Sequence, residues 1–175
     1  APTYYANVTG MGSNYFNFAQ GPNGSSLTRN YFIDWLGTAA GRAAMNVGRR
    51  AYAAANGTVE TQLLGDWMVG VTDMLVPLLQ NYKVLIYSGQ NDIILGPPLT
   101  EKALRSASLA KWDGQPAFVQ TPKKPWTIGA DLAGYSRVVG NFTYAVVRGA
   151  GHMVPTDQPT RALDLITRFV DGTPF

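Results

Sequence analysis

Val84-Leu85-Ile86-Tyr87-Ser88-Gly89-Gln90-Asn91-Asp92 is the stretch on which the reading of this chain turns. Four apolar, partly β-branched residues in a row, stopped by glycine, are the pattern of a strand buried on both faces, as in a parallel sheet. The loop that follows, Gly89 to Pro98, then lies at the carboxyl end of a strand, where open α/β sheets bind ligands. Beyond it, Thr100 to Ser106 reads as helix, and 107–130 as irregular chain with short strand pieces. Ala133–Val139 and Phe142–Val147 read as strands joined by a tight Gly140-Asn141 turn. A second loop, Gly149 to Pro155, precedes a helix from Gln158 to Asp171 whose apolar face carries Ala162, Leu165, Ile166 and Phe169.

Reading towards the N-terminus, Gly65-Asp66 opens a helix with Asp66 as N-cap. Trp67, Val71, Met74, Leu75, Leu78 and Leu79 are its apolar face, and Pro77 bends or splits it. Upstream, Asn56-Gly57 is a turn, and Gly41 to Tyr52 is an Ala-rich helix. Thr28 caps a helix carrying Tyr31, Phe32, Trp35 and Leu36. Residues 1–27 are irregular, with a short strand near Tyr15–Phe18. The chain therefore divides into a mostly helical region, 1–65, and an α/β region with an antiparallel element, 66–175.

Composition narrows the function. The 175 residues hold 46% hydrophobic side chains and a net charge of +3. The 14 Lys and Arg are scattered, which is no footprint for nucleic acid. No apolar run is long enough to span a membrane. The absence of Cys excludes disulfides and thiol catalysis, and one His excludes a multi-His metal centre. Charged residues are only 14%, so a partner or glycans are expected over part of the surface. Four N-x-S/T sequons, at Asn7, Asn23, Asn56 and Asn141, point to the secretory route.

Two loops sit where chemistry is expected. The first ends in Asp92. The second, Arg148-Gly149-Ala150-Gly151-His152-Met153-Val154-Pro155, contains the chain's single His. A lone His is commonly a surface or satisfied core residue. Here two glycines let the backbone turn sharply and bring the ring close to another group. Asp92 has two readings: a turn Asp bonding its own backbone, or an acid accepting from Nδ1–H of His152. The second would fix the tautomer and stabilise the imidazolium formed when Nε2 takes a proton. Asp followed by His is the order of α/β-hydrolases, in which the nucleophile comes first. No Ser here has glycine at both −2 and +2, so the chain carries no nucleophile elbow and cannot assemble a triad alone.

VLIYSGQNDII at 84–94 and GNFTYAVVRGAGHMVPTDQPTRALDLITRFV at 140–170 resemble the acid loop and histidine block of serine carboxypeptidases. The wording GQNDIILGPPLTE is similar to that of the vitellogenic-like and protozoan branch. DWMVGVTDML at 66–75 and GRAAMNVG at 41–48 match weaker family patterns, so the resemblance is strong over 66–175 and patchy over 1–65. It implies the C-terminal part of an α/β-hydrolase sheet with flanking helices, and no cofactor or metal. It makes Asp92 the triad acid and His152 the general base. Met153 would line the pocket for the substrate's last side chain, and Leu95 falls where many members carry a Cys facing that site. The family's serine, in a Gly-Glu-Ser-Tyr-Ala-Gly segment, belongs to the N-terminal half. Several members are cut into two associated chains. The resemblance therefore implies a C-terminal chain completed by a larger companion, a lysosomal, vacuolar or extracellular setting, and peptide substrates. A non-catalytic binding module of this fold, and an acyltransferase with the same triad, are the competing readings.

Overall fold

The computed structural model describes residues 7–8, 16–20, 31–53, 55–67 and 69–175. They form two compact units, Ser26–Gly70 and Ala1–Ser25 with Val71–Phe175.

Among its described residues the smaller unit holds α1 (Tyr31–Leu36), α2 (Ala39–Ala44) and α3 (Gly57–Trp67). Thr38 starts α2: its hydroxyl accepts from the Gly41 N–H at 3.0 Å. The helix expected to reach Tyr52 stops at Ala44, because Asn46 and Gly48 take left-handed φ values of 54° and 64°. Asn56 is a cap rather than part of a turn. Its Oδ1 accepts from the N–H groups of Thr58 and Val59 at 3.0 and 3.3 Å, and α3 grows from there. Gly65 and Asp66 consequently lie in the last turn of α3 and open nothing. A helix-start signal was present, but ten residues upstream of where the acidic residue suggested it. Thr28 lies outside the described residues.

In the larger unit, α4 runs from Thr72 to Asn81, so the long helix read from Asp66 is two helices. Pro77 sits inside α4, which continues through it. Val76 and Leu79 are buried, whereas Met74 and Leu78 of the expected apolar face are exposed. Four strands follow: β1 (Val84–Gly89), β2 (Lys124–Ile128), β3 (Asp131–Val139) and β4 (Phe142–Val147). Their order is β1-β4-β3-β2, with β1 parallel to β4 and the other pairs antiparallel. The turn at Gly140-Asn141 is as expected, with Gly140 at φ 54°.

The strand buried on both faces is β4, not β1. Every residue of β4 is buried, whereas Val84 to Ile86 are half-buried and Tyr87 is exposed. The reason is position: β4 has a neighbour on each side, and β1 pairs with β4 alone among the described strands. Pro125 is tolerated in β2 because that strand is at the other edge.

Between β1 and β2 the chain forms α5 (Pro97–Leu104), a single 3₁₀ turn (Ala107–Leu109) and α6 (Gln115–Gln120). The segment read as irregular thus contains a helix and one strand. After β4 come the one-turn α7 (Val154–Asp157) and α8 (Pro159–Asp171), stopped by Gly172 at φ 73°. One core packs Leu79, Leu104, Trp112 and Phe118 against Phe142, Tyr144 and Val146. The other packs Ala162 and Leu165 of α8 against Trp126, Ala133, Ala145 and Val147. Each fully buried large side chain contributes roughly 1.5–3 kcal/mol of transfer free energy. These two cores clamp the sheet and fix where the loops after β1 and β4 emerge. Residues 16–20 make bends and turns, not the expected strand, and Tyr15 lies outside the described residues.

Candidate active site

Because β1 and β4 are parallel neighbours in register from Val84↔Phe142 to Gly89↔Val147, their loops leave the sheet side by side. The loops are tied directly. Gln90 N–H donates to Val147 O at 2.9 Å, Asn91 N–H to Ala150 O at 2.8 Å, and Gly149 N–H to Gln90 Oε1 at 3.1 Å. A Cβ on Gly89 would stand 1.9 Å from the Gly151 carbonyl oxygen, so only glycine allows this approach.

That proximity brings Asp92 and His152 together across sixty residues. His152 Nδ1 lies 2.9 Å from Asp92 Oδ2. Asp92 is 8% exposed, and its other oxygen, Oδ1, accepts from the N–H groups of Ile94 and Leu95 at 2.8 and 3.1 Å. Both readings of this Asp therefore hold at once: one oxygen bonds its own loop, the other faces the imidazole. A carboxylate oxygen accepts, so this contact favours the tautomer with its proton on Nδ1. No hydrogen bond among the described residues occupies Nε2. The ring also meets the Phe16 ring edge-on at 5.3 Å, and the His152 backbone N–H donates to Phe16 O at 2.5 Å.

A cavity of about 280 Å³ lies beside the pair, and Tyr87, Leu95, Thr100 and Val154 contribute to its walls. Leu95 thus lines the same cavity as Asp92 and His152. Met153 is 39% exposed and stands outside that lining; its carbonyl accepts from Thr156 and Asp157 as α7 begins. Ser88 lines the cavity too, but it is buried and its hydroxyl is paired with Thr100 at 3.2 Å. Beneath the acid loop, the Tyr144 hydroxyl donates to Pro97 O at 3.3 Å, and burial pushes this phenol up to about 12. Tyr144 is therefore a neutral prop under the loop at physiological pH. Asn7, Asn56 and Asn141 are exposed, and Asn23 lies outside the described residues.

Two elements in contact with the histidine loop escaped the sequence reading. One is the segment Phe16–Gln20, which crosses the histidine loop. The other is Asp157, which accepts from Gly151 N–H at 2.7 Å and from Asn17 Nδ2 at 2.9 Å. Asp157 was visible only as a letter in the histidine block. Nothing in the sequence pairs it with residue 17.

A buried Asp faces a His that follows two glycines, on loops after adjacent parallel strands. The sequence profile of the serine carboxypeptidase family matches residues 13–172, and the chain belongs to that family. It is 41% identical to the venom serine carboxypeptidase of Apis mellifera over 99% of this chain and 36% of that one. It is 39% identical to the probable serine carboxypeptidase CPVL of Homo sapiens, over 98% of this chain and 35% of that one. The chain thus spans about a third of the length of the curated relatives it matches and corresponds to their C-terminal part. Among solved structures, it resembles Kex1(Δ)p, a prohormone-processing carboxypeptidase from Saccharomyces cerevisiae. The TM-score is 0.71 at 18% identity, covering 91% of this chain and 36% of that one. That likeness shows the fold: a mixed sheet with flanking helices, as in the α/β-hydrolases.

Proposed function

We propose that this chain supplies the acid and base of a serine carboxypeptidase, with Asp92 and His152 serving a nucleophilic Ser carried by a larger N-terminal polypeptide. The observation that carries the reading is the 2.9 Å contact between His152 Nδ1 and an Asp92 carboxylate whose second oxygen is already held by two backbone N–H groups. Such a carboxylate holds one tautomer and one ring orientation. Nε2 accepts the proton of the Ser hydroxyl as it attacks the last peptide carbonyl. The imidazolium, stabilised by Asp92, returns that proton to the departing amino group. Water then repeats the cycle on the acyl-enzyme. General base catalysis of this kind contributes roughly 10²–10⁴-fold.

The outer edge of β1 supports a companion. It has no partner among the described strands, Tyr87 on β1 is exposed, and so are Ile94, Leu95 and Leu99 in the chain that follows β1. In this reading further strands continue the sheet there, and Leu95 and Met153 contact the substrate's terminal side chain. The exposed sequons at Asn7, Asn56 and Asn141 support passage through the secretory pathway.

The test is to treat the native protein with a fluorescent fluorophosphonate, separate it on a denaturing gel, and follow residues released from the carboxyl ends of peptides. Label on a separate larger polypeptide, with stepwise loss of C-terminal residues, is the expected result. Label on one long polypeptide containing this sequence would keep the peptidase and remove the two-chain arrangement. Label on an 18.9 kDa band would place the nucleophile in this chain and overturn the proposal.

A further inference from the structure

We infer that Asp157 is a positioning residue for the base: it clamps the segment Phe16–Gln20 onto the histidine loop, and that segment holds His152 in place. The inference rests on the assignment of His152 as the base and adds to it a device that controls the ring.

Asp92 fixes one nitrogen of the imidazole but leaves the backbone beneath it free to move. The strap closes that freedom. Phe16 O accepts the His152 N–H at 2.5 Å, and the Phe16 ring abuts the imidazole at 5.3 Å with an interplanar angle of 63°. Phe18 N–H donates to Asn91 O at 3.1 Å, so the same segment also touches the acid loop.

One carboxylate ties the strap to the histidine loop through side chains. Oδ2 of Asp157 accepts from Asn17 Nδ2 at 2.9 Å and from Gly151 N–H at 2.7 Å, and Oδ1 accepts from Gln20 Nε2 at 3.2 Å. Asn17 is 3% exposed, and its Oδ1 accepts from Ala19 N–H at 3.1 Å, so its amide cannot flip. A second observation is steric. A Cβ on Gly151 would lie 2.0 Å from Phe16 O and 2.5 Å from Asn17 Cβ. Strap and loop approach so closely that the residue before the base has no room for a side chain.

The arrangement needs an acceptor at 157. In Asp157→Ala, the Gly151 N–H, the Asn17 amide and the Gln20 amide all lose this acceptor. In Asp157→Asn, a carbonyl in the place of Oδ2 still accepts from Gly151 and Asn17, and only the Gln20 amide meets a donor, which turning that amide over relieves. Asp157→Ala therefore removes the clamp and Asp157→Asn keeps it.

The experiment uses the whole enzyme with its nucleophile. Three quantities are read for wild type, Asp157→Ala and Asp157→Asn: kcat and KM on a peptide, the rate of fluorophosphonate capture, and amide exchange of the strap. Asp157→Ala is expected to lower kcat about 10- to 100-fold, the scale of a misplacement near 1 Å. KM should stay within about twofold, because binding groups are untouched. Exchange at Phe18 should quicken in Asp157→Ala, and Asp157→Asn should keep most of kcat and of strap protection. Wild-type kcat and capture rate in Asp157→Ala would overturn the inference, as would an equal kcat loss in Asp157→Asn with the strap still protected. A wild type that is captured but releases no C-terminal residue would instead refute the peptidase reading. The capture rate would then test the clamp in place of kcat.

Discussion

Adding one methyl group at Gly89 tests the link between sheet and chemistry. In Gly89→Ala the new Cβ would sit 1.9 Å from Gly151 O and 2.7 Å from Ala150 O, both main-chain atoms. Carbon–oxygen contacts begin near about 3.3 Å, so the acid and base loops must part by about 1.4 Å. Gly151 immediately precedes His152, whose 2.9 Å bond to Asp92 has little room before the useful limit near about 3.2 Å. A misplacement of this size costs about 10²-fold in rate, or about 2.7 kcal/mol of transition-state stabilisation. The control is Gly140→Ala, in the hairpin turn. Gly140 has φ 54° and nothing within 4 Å of its added Cβ. That change costs roughly 1–2 kcal/mol of stability through left-handed strain and should leave kcat alone. The assay is kcat on a fluorogenic peptide with the complete enzyme, alongside thermal melts of both variants. Gly89→Ala turning over like Gly140→Ala, with both folded, would refute the claim that loop contact sets the acid–base distance.

Other expectations follow from the same geometry. Asp92→Asn leaves the ring in the wrong tautomer and should lower kcat by about 10⁴-fold, measured by burst kinetics, with the fold unchanged by circular dichroism. Phe118 is fully buried against Trp112, Phe142 and Tyr144, so Phe118→Ala should cost about 3–5 kcal/mol in denaturant unfolding. Tyr144 holds its proton to about 12 in the fold against 10.0 ordinarily, so its contribution is full below 10 and lost as pH rises through 12. Stability measured from pH 9 to 12 should therefore fall less steeply in Tyr144→Phe than in wild type; equal slopes would contradict the burial of the phenol.

Much of this was legible in the sequence because it is local. Gly140-Asn141 between two β-branched runs specifies a hairpin without reference to the rest of the chain, and the glycines around His152 announce a sharp turn beyond a strand. The position of the loop carrying Asp92, just beyond a strand, was readable for the same reason. Edge or centre was not: β1 and β4 are equally apolar, and only strand order decides that β4 is covered on both sides. The helix boundaries failed where two caps competed, Asn56 against Asp66, because each satisfies the same short pattern. The strap was invisible. The bond from Asn17 to Asp157 joins residues 140 apart, and no periodicity reports a contact at that separation. Met153 and Leu95 looked equivalent as neighbours of the motif, yet only Leu95 borders the cavity.

The parallel pairing of β1 with β4 acts as a ruler. Each step along it is about 3.3 Å, and a slip of one residue also turns every side chain to the opposite face. The distance between acid and base is therefore graduated by pairs as remote as Val84↔Phe142, at the far end of the strands. A substitution there that weakened the register would be felt first as poor chemistry, in a site it never touches.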